Sequence, residues 1–341
     1  MPVESSSCPK HMVFGPCGGV DPGGGCEVDR RPCPFVTSPG PAWRAGAPTH
    51  KPHALTAAAY ELASLASRRP LVLAEVPSVS LDACRQREAA AVLARGCDAG
   101  VTGDSPWARV QLPPTVRAEL LADEGLRAWV GLTCRDRNRV ALEGELAGLN
   151  AVGAAAVHCV TGDHPTVGDR PDAAAVFDLD STRLAAMAAG TGMLVSVAES
   201  PSSPPEEQRA ARLANKAEAG AGWCLLAFTG DGDRLAEFVA AVRGLAPGLR
   251  PVISVPVLTS PEALRLVGRY PALSLPAAAV AAVEDAHPHT AGLDAAHCMA
   301  LAALAIEGVA GVSLAAPAIP DRALAAASDV VALGRALGGG Q

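Results

Sequence analysis

Short apolar runs alternate with longer stretches of helical periodicity from about residue 55 to the end of the chain. Apolar runs of strand length lie at 71–76, 98–102, 129–133, 155–161, 193–197, 223–228, 251–255 and 311–314. Patterns rich in Ala, Leu, Arg and Glu fall between them, for example over 81–94, 137–152, 205–219 and 234–242. This alternation predicts strands that are joined by helices, and therefore parallel pairing through right-handed crossovers.

Eight such strand–helix units favour an α/β fold, a (β/α)8 TIM barrel over residues 55–341. An open doubly wound sheet is the alternative, but no Gly-x-Gly-x-x-Gly turn follows the first strand. The gap between strands seven and eight is long, and we expect it to hold additional helices. Residues 1–50 are rich in Gly, Pro and Cys and are predicted to form a small Cys-rich metal-binding segment.

The tripeptide Thr-Gly-Asp follows the second, fourth and sixth strands and ends at Asp104, Asp163 and Asp231. A barrel gathers the carboxyl ends of its strands on one face, where such folds carry their chemistry. An aspartate at this position either accepts hydrogen bonds from a cofactor or caps the next helix. Both interpretations stay open for Asp104 and Asp163, whereas the loop at Asp231 indicates an ordinary turn and cap.

Glu75 is a lone carboxylate inside the first apolar run. Burial would raise its pKa toward the range that suits a general acid. The alternative is a carboxylate that is paired with a nearby arginine. The third strand leads into a second candidate, a run that contains Arg135, Arg137 and Arg139. Three arginines suit an anionic ligand such as a flavin phosphate, and they equally suit a salt-bridged helix start.

Composition narrows the class of partner. The net charge is −7 and there is no basic tract, which argues against nucleic acid or an anionic membrane surface as a partner. The longest apolar stretches are too short to cross a bilayer, and the N-terminus has no basic-then-apolar signal pattern. We therefore expect a soluble cytoplasmic protein.

Four of the ten cysteines cluster near the start of the chain, at Cys8, Cys17, Cys26 and Cys33. In a reducing cytosol such a cluster indicates a metal site rather than a set of disulfides. The spacing matches neither a zinc finger nor a two-cluster ferredoxin. Neighbouring glycines and prolines direct backbone N–H groups toward sulfur, which favours a 4Fe-4S cluster, while structural zinc and a metal-free segment remain as alternatives.

Several of these pieces together resemble the methylenetetrahydrofolate reductase family. They are Glu75, the run Leu-Thr-Cys-Arg-Asp-Arg-Asn-Arg over 132–139, the run His-Cys-Val-Thr-Gly-Asp-His-Pro over 158–165, and the segment 216–222. The Cys-rich segment resembles a domain that is attached to, or partnered with, some reductases of this family. The resemblance implies a flavin-containing barrel with FAD or FMN. In such a barrel reduced flavin passes hydride to 5,10-methylenetetrahydrofolate and gives 5-methyltetrahydrofolate.

The resemblance also implies roles for individual residues. Glu75 would protonate the folate N10, and Asp163 would lie near the flavin and the pterin. Lys216 would lie near the phosphate-bearing tail of the flavin. The other cofactor-binding positions are Thr102, Asp104, Thr133, Arg135, Thr161 and Gly162. The electron donor would be NAD(P)H, or ferredoxin if the cysteines hold a cluster.

Three features depart from the family pattern: two substituted positions, and the single Pro77 in place of the doubled proline that follows the first-strand glutamate. Ala227 stands where the family has a glutamine near the end of strand six, and Gly131 stands where it has a histidine. Two alternatives therefore stay open: a non-catalytic electron-transfer or accessory subunit of a reductase, and a flavin barrel for another one-carbon or imine substrate. The Ala-rich outer helices are compatible with a homo-oligomer, a partner reductase subunit or a monomer.

Overall fold

The computed structural model describes residues 8–44, 53–77, 81–105, 108–227, 229–268, 274–317, 319 and 322–340. Eight parallel strands pair in chain order, and the last pairs with the first, so the sheet closes into a barrel. The strands are β1 (Leu71–Glu75), β2 (Ala99–Thr102), β3 (Ala128–Thr133), β4 (Ala156–Val160), β5 (Leu194–Glu199), β6 (Trp223–Leu226), β7 (Arg250–Pro256) and β8 (Gly311–Ala315). The predicted (β/α)8 TIM barrel is confirmed.

Among the described residues, two α-helices precede the first strand, the following ones connect successive strands on the outside of the barrel, and one follows the last strand. They are α1 (Pro34–Thr37), α2 (Ala57–Ala66), α3 (Ala83–Leu93), α4 (Pro114–Asp123), α5 (Arg139–Ala151), α6 (Ser181–Ala188), α7 (Arg209–Glu218), α8 (Gly232–Leu245), α9 (Pro261–Val267), α10 (Ala277–Val283), α11 (Pro288–Leu304) and α12 (Ala323–Ala336). Between β7 and β8 lie α9, α10 and α11, as expected from the long gap. Asp231 caps α8, because its side chain accepts hydrogen bonds from the backbone of Asp233 and Arg234.

Helix α2 closes the amino-terminal end of the barrel. Leu62 on this helix is fully buried in one apolar cluster with Leu71 and Trp129 from the barrel interior. The hydroxyl of Thr56, which caps α2, donates to the carbonyl oxygen of Ala154 at 2.9 Å. With this end closed, the open end of the barrel is the carboxyl-terminal one.

The strand register sorts the inward side chains into layers of four from alternate strands. The lower layer is Leu73, Trp129, Ser196 and Val252, the middle layer is Val101, His158, Leu225 and Ser313, and the upper layer is Glu75, Gly131, Ala198 and Ser254. The lower layer is mostly bulky and fills the interior. The upper layer contains a glycine and an alanine, so the barrel opens there into a mouth.

The Cys-rich segment, residues 8–44, packs against this same end of the barrel. The backbone N–H of Val13 donates to Asp180 at 3.2 Å, at the start of α6. Arg209 at the start of α7 donates to the carbonyl oxygen of Cys17 at 3.0 Å, and Gln208 donates to that of Phe35 at 3.1 Å. The cysteines therefore lie on the side of the barrel where the strands end. In the described part of the chain, helices long and apolar enough to cross a membrane are absent.

Candidate functional site

Glu75 is the last residue of β1 and belongs to the upper layer. Its side chain reaches solvent in the mouth, yet the surrounding barrel wall raises the pKa of its carboxyl by desolvation. Within the described residues it has no hydrogen bond and no ion pair, so the alternative of a pairing arginine is not supported there. Because Gly131 and Ala198 are its layer neighbours, the carboxyl faces open space that a ligand can fill.

His158 lies one layer below Glu75, on β4. Its Nδ1 is 2.6 Å from the hydroxyl oxygen of Ser196, which also accepts a hydrogen bond from Trp129 Nε1 at 3.1 Å. Burial, and secondarily the charge of Lys216, lower the pKa of His158 to about 4. In the sequence His158 is noticeable only as the first residue of the run 158–165. Its location inside the barrel follows from the register of β4 with β3 and β5.

Asp163 follows β4 and is half-buried. Burial raises the pKa of its carboxyl, the positive charges of Lys10 and Arg135 oppose that rise, and Glu27 adds to it. The short turn at 165–167 is capped by the side chain of His164 and not by Asp163. The capping interpretation of Asp163 is therefore wrong, and its carboxyl remains at the mouth.

Lys10 brings the Cys-rich segment to this aspartate. It is buried, and its ammonium pairs with Glu27, whose carboxylate accepts a hydrogen bond from the backbone of His164 at 3.4 Å. Burial lowers the pKa of Lys10, but the negative charges of Cys17, Glu27 and Asp163 outweigh it and raise that pKa overall. A single buried cation thus connects the cysteines with the end of β4.

Asp104 has a different environment, because arginines enclose it. Its carboxylate accepts from Arg117 at 2.6 Å, from Arg137 at 2.9 Å and from the hydroxyl of Thr133 at 3.2 Å. Arg135 donates to its backbone carbonyl at 3.2 Å. Helix α4 begins only at Pro114, so Asp104 does not cap it. The geometry of Asp104 is that of a structural ion pair.

The remaining arginine of this run, Arg139, is exposed and pairs with Asp178 at 2.7 Å. Asn138 caps α5 through a hydrogen bond from Ala141 at 3.0 Å. Of the two interpretations of the arginine run, the structure supports the salt-bridged helix start.

Lys216 is buried beside a carboxylate that sequence reasoning missed. Glu199 at the end of β5 accepts from Lys216 at 3.2 Å, from Arg212 at 2.5 Å and from Arg209 at 3.2 Å. Burial raises the pKa of Glu199, but these three cations outweigh it and lower that pKa to about 2. Burial, followed by the charge of Arg212, lowers the pKa of Lys216 to about 8. The spacing of Arg209, Arg212 and Lys216 places them on one helix face, which is the signal that could have revealed the cluster.

The other three predicted cofactor-binding residues are Thr102, Thr161 and Gly162, and they differ in the contacts that they make within the protein. The hydroxyl oxygen of Thr102 at the end of β2 is buried and has no partner within the described residues. The hydroxyl of Thr161 accepts from the backbone of Ser181 at 3.0 Å. Gly162 has φ +89°, a conformation that favours glycine, and a Cβ there would lie 3.1 Å from Cβ of Thr133. Because Val101 points into the barrel, the Thr102 side chain lies on the opposite face of the sheet, toward the surrounding helices.

The four N-terminal cysteines line one cavity of about 20 Å³. Backbone N–H groups point at the sulfurs, and the nitrogen of Gly19 lies 3.4 Å from the sulfur of Cys17. Burial raises the pKa of Cys8, Cys26 and Cys33, and hydrogen bonds from backbone N–H groups partly offset that rise. Across the described ranges, however, no three His, Cys, Asp or Glu side chains converge closely enough to hold a single ion. The cysteines share a cavity, but they are not arranged as a tetrahedral zinc site.

Comparisons with known proteins agree with this architecture. The sequence model of the family described as methylenetetrahydrofolate reductase matches residues 97–316, and the model described as methylene-tetrahydrofolate reductase C terminal matches residues 3–42. A search of curated proteins gave no match.

Among solved structures, an uncharacterized Clostridium thermocellum protein that binds two copies of 5-methyl-5,6,7,8-tetrahydrofolic acid is similar. Its TM-score is 0.60 at 10% identity, over 81% of this chain and 98% of that chain. EDTA monooxygenase from Chelativorans sp. BNC1 has a TM-score of 0.53 at 14% identity, over 80% of this chain and 95% of that chain. At these identities the likeness concerns the fold.

Proposed function

The chain belongs to the methylenetetrahydrofolate reductase family, and we propose that it is a flavin-dependent oxidoreductase that reduces 5,10-methylenetetrahydrofolate to 5-methyltetrahydrofolate. The observation that carries this proposal is Glu75, a carboxyl without a partner in the described residues, with a raised pKa, that faces the open mouth. The methyltetrahydrofolate bound by the Clostridium thermocellum protein supports a folate ligand.

The protein's part in this reaction is to deliver a proton and to orient the substrate. A protonated Glu75 donates its proton to N10, the C–N10 bond of the five-membered ring breaks, and the methylene carbon remains as an iminium on N5. A reduced flavin supplies the hydride that this carbon accepts. The raised pKa keeps Glu75 protonated over more of the neutral range than an ordinary glutamate.

The residues present suit the ring end of a flavin better than its phosphate end. The backbone at Gly162 and the carboxyl of Asp163 would contact the ring. Lys216 and Arg135, the two cations implied for the tail, already bind Glu199 and the backbone of Asp104. A phosphate would therefore share these cations with internal acceptors.

For the cysteines we propose a 4Fe-4S cluster. A zinc ion needs its sulfur ligands about 2.3 Å from one point, whereas a cluster takes thiolates at its corners and is tuned by N–H groups that point at sulfur. The backbone N–H contact at the sulfur of Cys17 supports the cluster. Such a cluster would accept single electrons from a donor such as ferredoxin.

The test is purification without oxygen, followed by assays of flavin, iron, zinc and sulfide on one sample. 5-Methyltetrahydrofolate is then added to the protein with oxidised FAD or FMN. Loss of flavin absorbance near about 450 nm, with formation of methylenetetrahydrofolate, is the expected result. Protein that binds neither flavin nor folate under these conditions would refute the assignment.

A second candidate function is an electron-transfer or accessory subunit of a separate reductase. The contact that favours it is Lys10, which links the cysteines to Asp163 while the tail-binding cations are already paired. Metal with sulfide, no bound flavin and no folate turnover without an added reductase would support this candidate over the first.

A further inference from the structure

A chain of three hydrogen-bonding groups favours one tautomer of His158. The Trp129 indole is only a donor, so the Ser196 oxygen accepts from it at 3.1 Å. The Ser196 hydroxyl then has its own hydrogen to donate, and His158 Nδ1 lies 2.6 Å away. An imidazole that accepts at Nδ1 carries its proton on Nε2 when it is neutral. Within the described residues the hydrogen bond of the ring is made by Nδ1, which leaves Nε2 for a ligand.

Gly131 allows the backbone of β2 to approach closely beside His158. Gly131 is the register partner of His158 on the neighbouring strand. A Cβ at Gly131 would lie 2.5 Å from the carbonyl oxygen of Thr102, so a side chain does not fit there without a backbone shift. The histidine that the family resemblance led us to expect at 131 thus has no room. Instead, the imidazole of His158 lies on the neighbouring strand at the position that pairs with Gly131.

A second polar group lies on the opposite wall of the same layer. Ser313 on β8 is fully buried, and its hydroxyl oxygen has no partner within the described residues. Leaving a buried hydroxyl without a partner costs about 1–3 kcal/mol, so a ligand that reaches it would be favoured. The middle layer therefore offers a ring N–H and a serine hydroxyl beneath the carboxyl of Glu75.

We propose that His158 and Ser313 form the polar floor of the substrate pocket and select a ligand with hydrogen-bond acceptors, such as the carbonyl oxygen and ring nitrogens of a reduced pterin. The proposal rests on the proposed function, since it names the residues that recognise the pterin. These two residues would supply the pterin contact that the family's glutamine makes and that Ala227 cannot make. Ser196 and Trp129 act through His158 as positioning residues.

Calorimetric binding of 5-methyltetrahydrofolate to the full chain tests the proposal. His158→Phe should weaken binding about 10- to 100-fold, and Ser313→Ala should weaken it less, as expected for lost hydrogen bonds. His158→Gln, which keeps an N–H donor, should recover part of the loss. The matched control is His289→Phe, since His289 is an exposed histidine on α11 that contacts Asp329.

A spectroscopic readout separates positioning from folding. Nitrogen NMR of labelled histidine should show His158 as the Nε2–H tautomer at neutral pH, and Ser196→Ala should remove that preference. Wild-type protein that binds no folate would refute the proposed function itself. Tight binding by wild type and equally tight binding by folded His158→Phe would overturn only the role of His158.

Discussion

Glu75 and Asp104 are both carboxylates at strand ends, but their surroundings give them opposite properties. Asp104 lies between Arg117 and Arg137, so its charge is neutralised inside the fold. Among the described residues, no charged neighbour of Glu75 alters its pKa, and desolvation raises that pKa. The sequence singles out both positions, because each follows an apolar run. It does not show which carboxylate has cations beside it, since Arg117 lies on a helix whose packing the local sequence does not reveal.

Glu75→Gln should abolish the proton donation while the mouth keeps its shape. We expect kcat to fall about 10²- to 10⁴-fold, with a smaller change in KM. In wild type, kcat/KM should decline as pH rises through the raised pKa of Glu75, because the acid must be protonated. Initial rates across a pH series check both statements. Retention of this alkaline limb in Glu75→Gln would assign the proton to another group.

Asp104→Asn should lower stability rather than cofactor affinity. The substitution leaves the buried Arg117 facing a neutral amide, and breaking such a buried pair costs about 3 kcal/mol or more. Urea denaturation measures the loss. Glu61→Gln, which removes an exposed pair with Arg127, is the control and should cost less than about 1 kcal/mol. Unchanged stability with weakened flavin binding would instead restore the cofactor-binding interpretation.

At the scale of elements, strands were easier to predict than the contacts between them. Each of the eight strands lies within two residues of its predicted limits, because buried parallel strands are continuous apolar runs. The Glu199 cluster was missed because it joins the end of β5 to one face of α7. The Trp129, Ser196 and His158 chain was missed because only the barrel register brings β3, β4 and β5 side chains into adjoining layers.

The β5–α7 cluster should make stability depend on pH in the acid range. The fold lowers the pKa of Glu199 from 4.5 to about 2, so its contribution is present above pH 4.5 and is lost as pH falls toward 2. At about 1.4 kcal/mol for each pKa unit, that contribution is about 3 kcal/mol.

Comparison of wild type with Glu199→Gln isolates this contribution. The difference in free energy of unfolding, measured in urea from pH 7 to pH 3, should be largest at pH 7 and should shrink below pH 4.5. Glu307→Gln, which removes an exposed pair with Arg243, should show no such trend. A difference that stays constant with pH would mean that Glu199 acts through packing alone.

For the whole molecule, the Cys-rich segment and the barrel have very different means of staying folded. The barrel has an extensive buried core, whereas the core of the segment consists of Cys8, Met12 and Phe35. A segment of this kind needs a metal or another covalent constraint to stay ordered. Two cations, Lys10 of the segment and Arg209 of the barrel, lie near Cys17, and a thiolate there would balance part of their positive charge.

Removal of the proposed metal should therefore release the segment and leave the barrel intact. In Cys17→Ser, which lacks one of the proposed ligands, we expect trypsin to cut after the exposed Arg30 at least tenfold faster than in metal-loaded wild type. The fragment that begins after Arg44 should resist digestion. Cys298→Ser, which changes an exposed cysteine on α11, is the control and should digest like wild type. Equal resistance of Cys17→Ser and wild type would contradict this expectation. It would mean that contacts such as the hydrogen bond from Arg209 and the pair between Lys10 and Glu27 hold the segment on the barrel without metal.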